Sequence, residues 1–229
     1  MKCIILAGGK GSRLSELTKS IPKPMVKISD KPIIYHIMKH YGKYGIKDFI
    51  IAAGYKKKII ENYFKNKKFF NWNIKIVDTG LKTLTGGRLK RLEKYINKKE
   101  DFLFTYGDGV SNVNIKRLIK FHKKQKKILT VTAVHPPARF GEIVLTKNLV
   151  KSFKEKPQVK NGWINGGFFV SNYKFFRFIK KDNDILEKKP LENLCKQNQL
   201  AAFKHHGFWK CMDTIRDRDV LKEIYKKKK

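Results

Sequence analysis

Short apolar runs alternate along this chain with amphipathic stretches. Residues 3–7 (CIILA) are unbroken in their apolarity and are closed by Gly8-Gly9, and 48–54 (DFIIAAG) and 101–109 (DFLFTYGDG) repeat the pattern of an apolar run closed by glycine. Continuous runs of this kind are those of strands buried on both faces. Between them apolar positions take helical spacing: Ile33, Ile34, Ile37, Met38 and Tyr41 predict a helix from Pro32 to about Tyr44, with proline in its first turn. Residues 56–66 (KKKIIENYFKN), 87–96 (GRLKRLEKYI) and 114–125 (NIKRLIKFHKKQ) read as further helices, while 73–80 and the β-branched 128–134 read as strands. This rhythm predicts an α/β fold with a doubly wound, mostly parallel mixed sheet and a ligand crevice at the carboxyl ends of its strands.

The rhythm changes after Pro136-Pro137. Residues 141–146, 149–156 and 164–172 read as short strands, 173–180 and 190–198 as helices, 200–206 as a strand, and a last helix runs from about Thr214. The expectation is that this half lays antiparallel or mixed strands against the same sheet and carries substrate contacts. With no linker or repeat apart from the lysine tail, residues 1–229 are expected to form a single domain, with functional lobes at 1–135 and 136–229.

Charge adds a second question. The 53 basic and 19 acidic residues of the 229 give +34, which raises nucleic-acid binding as a rival class. Only 8 of the 53 are arginine, however, and lysine is spread over nearly every expected helix rather than interleaved with bidentate base-reading groups. The lysines therefore read as solvated faces that would still draw in small polyanions. Cys3, Cys195 and Cys211 fall at no metal or redox spacing and are expected to be plain core residues in a reducing compartment. No apolar run approaches the roughly 18 residues of a membrane span, so a soluble, cytoplasmic protein is expected.

Residues 8–13 (GGKGSR) need testing against two phosphate motifs. The Gly-Lys-Ser/Thr spacing of a Walker A loop is absent, and Leu14 stands where a dinucleotide fingerprint has its third glycine. What remains is physical: glycines let backbone N–H groups approach an anion, and Arg13 adds a fork of donors. Pro22 and Pro24 stiffen the chain around Lys23, a point charge suited to phosphate. Taken alone these are also the residues of a tight turn and a surface loop.

The stretch LAGGKGSRLSELTKSIPKPM resembles the N-terminal signature of the sugar-1-phosphate nucleotidyltransferases, which have a Rossmann-like fold. VDTG (77–80), TGGRLKR (85–91), FLFTYGDGV (102–110), FKEKP (153–157), INGGFFV (164–170) and GFWKCMDTIRD (207–217) follow in order. Together they are similar to the glucose-1-phosphate cytidylyltransferase branch. Ser12 stands where threonine is commoner, and the segment between Tyr63 and Asn73 is short for that branch.

The resemblance implies attack of the phosphate of α-D-glucose 1-phosphate on the α-phosphorus of CTP, giving CDP-glucose and pyrophosphate at the start of dideoxysugar synthesis for surface polysaccharide. It implies Mg²⁺ on Asp108 and Asp213, nucleotide contacts in the first lobe and sugar contacts in the second, a homo-oligomer, no specific nucleic acid and no membrane insertion. Arg13, Lys23, Lys156 and Asp108 carry the chemistry in this reading. Leu6, Ala7, Gly8, Gly9, Gly11, Ser12, Arg13, Lys23, Thr79 and Gly107 would wrap the nucleotide, with Thr85, Gly86 and Arg88 at the base. Glu155, Lys156, Asn165, Gly166 and Gly167 would hold the sugar phosphate.

Bland alternatives stand beside these roles. Asp108 also reads as a turn residue, Asp213 as the N-cap of the last helix, Thr79 as part of a common turn, and Glu155 as one of a surface charge pair. His135, His205 and His206 lack partners at metal spacing. Another nucleotide (UTP or dTTP) or hexose 1-phosphate remains open within the same chemistry.

Overall fold

Seven strands form one sheet: β1 (Lys2–Leu6), β2 (Asp48–Ala53), β3 (Asn73–Asp78), β4 (Phe102–Tyr106), β5 (Leu129–Val134), β6 (Ile164–Ser171) and β7 (Leu200–His205), in the order β7-β5-β6-β4-β1-β2-β3. The computed structural model describes residues 1–65, 71–136, 142–154 and 162–226, leaving out the side chains of Arg13, Ser15, Glu142, Val144, Leu145 and Lys154. Strand β1 pairs in parallel with both β2 and β4, β2 with β3, and β5 with β7; β6 alone runs antiparallel, between β4 and β5. A strand from the second half thus sits between two strands of the first, and a single sheet carries both halves.

The apolar runs follow from this layering. Cys3 and Ile5 face one core with Phe49 and Ile51, and Ile4 and Leu6 face the other with Ile50 and Ala52, so every position of β1 and β2 after the first is buried. The helices α1 (Ile33–Gly42), α2 (Lys57–Lys65), α4 (Ile115–Gln125) and α6 (Ile215–Lys226) cover the first face through Ile37, Ile60, Leu118 and Leu221. The second face is covered by α3 (Thr85–Arg91), α5 (Lys189–Lys196) and the turns around Phe175 and Phe176.

Two elements differ from expectation. Helix α3 begins at Thr85 rather than residue 87 and is followed by a tighter turn over Glu93–Tyr95. Residues 173–178 form a 3₁₀ turn rather than an α-helix, started by Asn172, whose side chain accepts from the Lys174 N–H. Adjacent Phe175 and Phe176 are both fully buried there, an arrangement without the apolar stripe of an α-helix. The strand order reverses at β1 and β4, so the loops after them splay apart and open the crevice at their carboxyl ends. Among the described residues no helix is long and apolar enough to cross a membrane.

Candidate active site

The loop after β1 is shaped by its own backbone. Gly11 takes a left-handed φ of +67°, and an added Cβ there would lie 3.0 Å from Lys23 Cβ. Its carbonyl accepts from the Leu14 N–H (2.9 Å) and the Thr18 hydroxyl (3.1 Å), turning the chain into a short helical segment. Leu6, Ala7, Gly8, Gly9, Gly11 and Ser12 line a cavity of about 770 Å³, together with Lys23, Thr85, Arg88, Gly107 and Asp108. The turn Leu81–Leu84 forms its other side.

Arg88, expected at the base, and Thr79, expected to line the nucleotide pocket, are both buried. Arg88 is 4% exposed and donates to the carbonyls of Gly8 (2.9 Å), Gly80 (2.8 Å) and Ala53 (3.3 Å) and to the Thr79 hydroxyl (2.6 Å). The guanidinium, itself part of the cavity lining, clamps the ends of β1, β2 and β3. Thr79 is fully buried and passes its own hydrogen to the Ala53 carbonyl. Gly86 faces away, its N–H donating to the Asp184 carbonyl at 2.9 Å. Neither Thr79 nor Gly86 lines the cavity.

Asp108 follows β4 at a sharp exit, and Asp213 arrives from 105 residues later in the chain. A two-stranded ladder joins them: Gly109–Ser111 pairs antiparallel with Trp209–Cys211, and the Met212 N–H donates to the Asp108 carbonyl at 2.9 Å. The helix cap at α6 is supplied by other residues. The Asp217 N–H donates to the Thr214 hydroxyl, and the Asp217 carboxylate accepts from the N–H groups of Asp213 and Thr214. Asp213 is therefore not the N-cap, and its carboxylate meets Lys23 instead.

Lys23 sits between the two acids, with Nζ 2.6 Å from Asp108 and 2.8 Å from Asp213. Its side chain is only 11% exposed. Burial pulls its pKa down, but Asp108 and Asp213 overcome that and hold it above the ordinary lysine value. Asp108, Cys211 and Asp213 bring ligand atoms within 4.8 Å of one another. Burial, then the two carboxylates, push the Cys211 thiol well up, so it stays neutral beside them. The donors offered to a cation are then carboxylate oxygens, which fit a hard divalent ion completed by phosphate oxygens and water. Of the three cysteines only Cys3 is a core residue; Cys195 is exposed and Cys211 belongs to this cluster.

A second cavity, about 540 Å³, adjoins the first and shares Thr85, Tyr106 and Asp108 with it. Asn165, Gly166 and Gly167 line it, where the β6 register shifts. Gly167 has φ +78°, and a Cβ there would come within 2.5 Å of the Tyr106 ring. The Trp209 indole N–H donates to the Gly166 carbonyl at 2.7 Å and fixes the bulge. Arg13 side chain, Glu155 and Lys156 lie outside the described residues. Tyr106, Glu187, Trp209 and Cys211 line the second cavity without having been singled out from sequence. Tyr106, Trp209 and Cys211 lie inside quoted motifs that could have flagged them; Glu187 sits in a charged stretch with no such signal.

This arrangement, a glycine-lined phosphate loop and an acidic pair at the junction of two cavities, has the form of a phosphoryl-centred transferase. Residues 2–216 match the nucleotidyl transferase family, and the chain belongs to it. It is 47% identical to the glucose-1-phosphate cytidylyltransferase of Salmonella typhimurium over 100% of this chain and 97% of that protein. It is 40% identical to the probable glucose-1-phosphate cytidylyltransferase of Bacillus subtilis over 95% of this chain and 93% of that one. Among solved structures, HddC from Yersinia pseudotuberculosis superposes with a TM-score of 0.78 at 26% identity, covering 98% of this chain and 99% of that chain.

Proposed function

We propose that this chain is a glucose-1-phosphate cytidylyltransferase, joining CTP and α-D-glucose 1-phosphate into CDP-glucose and pyrophosphate. The observation that carries the reading is the meeting of the two cavities at Asp108, opposite Asp213 and Lys23. Full-length similarity to proteins of that name supports the choice of nucleotide and sugar.

In the reaction an oxygen of the sugar phosphate forms a bond to the α-phosphorus while the bond from that phosphorus to the β-phosphate oxygen breaks. Pyrophosphate leaves with the electron pair, and no proton has to move, because the attacking phosphate is already ionised near neutral pH. The enzyme's task is then positioning and charge neutralisation. The loop at residues 8–12 presents backbone N–H groups to the nucleotide phosphates, and the Asn165–Gly167 bulge seats the sugar. Lys23 holds the acidic pair together and turns to phosphate oxygens once substrates arrive. Mg²⁺, held by Asp108 and Asp213, supplies charge neutralisation on those oxygens when bound.

We assign Arg13, Glu155 and Lys156 their roles on the motif resemblance. The chain is read as one domain, since β6 ties both halves into one sheet. A homo-oligomer is part of the proposal, supported by Leu149 and Phe153, which are 76% and 62% exposed on a hairpin; a light-scattering mass of one chain would remove it. The test of the activity is pyrophosphate release with glucose 1-phosphate across CTP, UTP, dTTP, ATP and GTP. CTP should lead clearly, and equal rates with UTP would overturn the cytidylyl assignment.

A further inference from the structure

Glu187 stands out in a chain of +34 because its carboxylate has neutral partners. Among the described residues no cation comes within ion-pair distance of it; its partners are two hydroxyls. Tyr106 Oη donates to Oε1 at 2.5 Å and Thr85 Oγ1 donates to Oε2 at 2.8 Å. Each donor is itself committed from behind. Asn165 Nδ2 donates to Tyr106 Oη at 3.2 Å, and the Leu186 N–H donates to Thr85 Oγ1 at 2.9 Å. The Asn165 carbonyl oxygen is fixed in turn by the Gly167 N–H at 2.8 Å.

Every hydrogen in this chain of bonds therefore runs toward Glu187. Burial, and then the Glu187 charge itself, raise the Tyr106 pKa and keep that phenol a donor. A carboxylate has about four lone-pair positions, and two are used here. The next group to meet it must be another donor.

The place of Glu187 narrows what that donor is. It lines the second cavity, with Asn165 and Gly167, and not the phosphate-loop cavity. The same cavity also carries Asp108 and Asp213, which Lys23 joins from the phosphate-loop side. A phosphate is repelled by a carboxylate whose partners among the described residues are neutral, and is drawn to Lys23. The neutral, hydroxyl-bearing end of a sugar phosphate is left for Glu187. Acceptors held in place by bonds from behind are what discriminate hydroxyl groups, because a ligand lacking the hydroxyl leaves the acceptor unpaired.

We propose that Glu187 is a specificity-determining residue that accepts a hydrogen bond from a ring hydroxyl of the hexose, with its carboxylate aimed by Tyr106 and Thr85. This rests on the activity proposed above. It also ties the two cavities together, since Thr85 borders both.

The test is a cycle between protein and ligand, using Glu187→Gln and monodeoxy analogues of glucose 1-phosphate at each ring hydroxyl. In the wild type one analogue should lose about tenfold or more in kcat/KM, and in Glu187→Gln that same analogue should lose less than about threefold against glucose 1-phosphate. KM for glucose 1-phosphate should rise about tenfold in the variant while KM for the nucleotide changes less than about twofold. If all the deoxy penalties survive in the variant, or the nucleotide KM rises as much as the sugar KM, Glu187 only props Thr85 and the proposal fails. Should Glu187→Gln not fold, Tyr106→Phe removes one aiming bond and should shrink the same single penalty; a uniform loss across all analogues would overturn the idea. A wild type that turns over no nucleotide with glucose 1-phosphate would instead sink the proposed activity, and this inference with it.

Discussion

The two cavities are built in opposite ways. One side of the phosphate-loop cavity, from Leu6 to Pro24, is a single contiguous stretch that takes its shape from backbone, with a left-handed Gly11, two short turns and two prolines; residues 81–85, Arg88 and residues 106–108 close the rest. The wall around the second cavity draws on Tyr106, Asn165, Glu187 and Trp209, four segments held together by side-chain bonds. The acidic pair lies where they meet and depends on a ladder between residues 109–111 and 209–211. A contiguous wall needs few partners to form. A scattered one is a set of contacts, each of which can be removed singly.

The sharpest break is at the junction. Asp108→Asn should keep the melting temperature of the wild type and lower kcat by about 100-fold or more, the size of a lost charge-stabilising group. Activity within a few-fold of wild type would take Asp108 out of the reaction.

Arg88→Met probes the clamp that holds the Gly8 end of the contiguous stretch. It takes the Arg88 donor from the half-buried Gly80 carbonyl, from the buried Thr79 hydroxyl and from the buried Gly8 carbonyl, which keeps the Tyr55 N–H, and should cost about 1–3 kcal/mol, read from the denaturant midpoint. The nucleotide KM should rise with it, while a loss confined to the sugar KM would contradict the division between the two walls. Gly167→Ala strikes the scattered wall, forcing a methyl group against the Tyr106 ring at a positive φ. We expect a cost of about 1–2 kcal/mol and a rise in the sugar-phosphate KM only.

The smallest effect concerns the cap that turns Asp213 toward the site. Burial pushes the Asp217 carboxyl up, but Lys210 and Thr214 outweigh it and hold its pKa below the ordinary aspartate value. A depressed carboxyl stabilises the fold above the ordinary value of about 4 and loses that contribution as pH falls through the lowered one. Asp217→Asn should therefore cost about 1 kcal/mol at pH 7, and urea midpoints of variant and wild type should converge in acid. A gap that stays constant down to pH 2 would show that the carboxylate charge is not what the cap uses.

The contrast between the walls also explains what could be read in advance. Strands β1, β2 and β4 were legible because burial on both faces leaves an unbroken apolar signature, whereas β3 lies at the sheet edge and is half exposed; Gly11, Lys23 and Asp108 sit in local motifs. The place of β6 between β4 and β5 was not legible, since strand order is set by contacts far apart in sequence. Arg88 reads from its motif as a base contact, but its clamp on three carbonyls comes from contacts that no spacing reveals. Asp213 was ambiguous between cap and ligand until Thr214 and Asp217 were seen to supply the cap between them. Glu187 had no local signal at all, because its partners are 81 and 102 residues away.

The central claim is that Asp108 and Asp213 form one cation site at the junction of the two cavities. Electron paramagnetic resonance titration of Mn²⁺ into the protein with a non-hydrolysable CTP analogue tests it most directly, comparing wild type with Asp108→Asn and Asp213→Asn. Each variant should bind the ion about tenfold or more weaker, with nucleotide binding in metal-free buffer unchanged. Equal Mn²⁺ affinity in all three proteins would contradict the account.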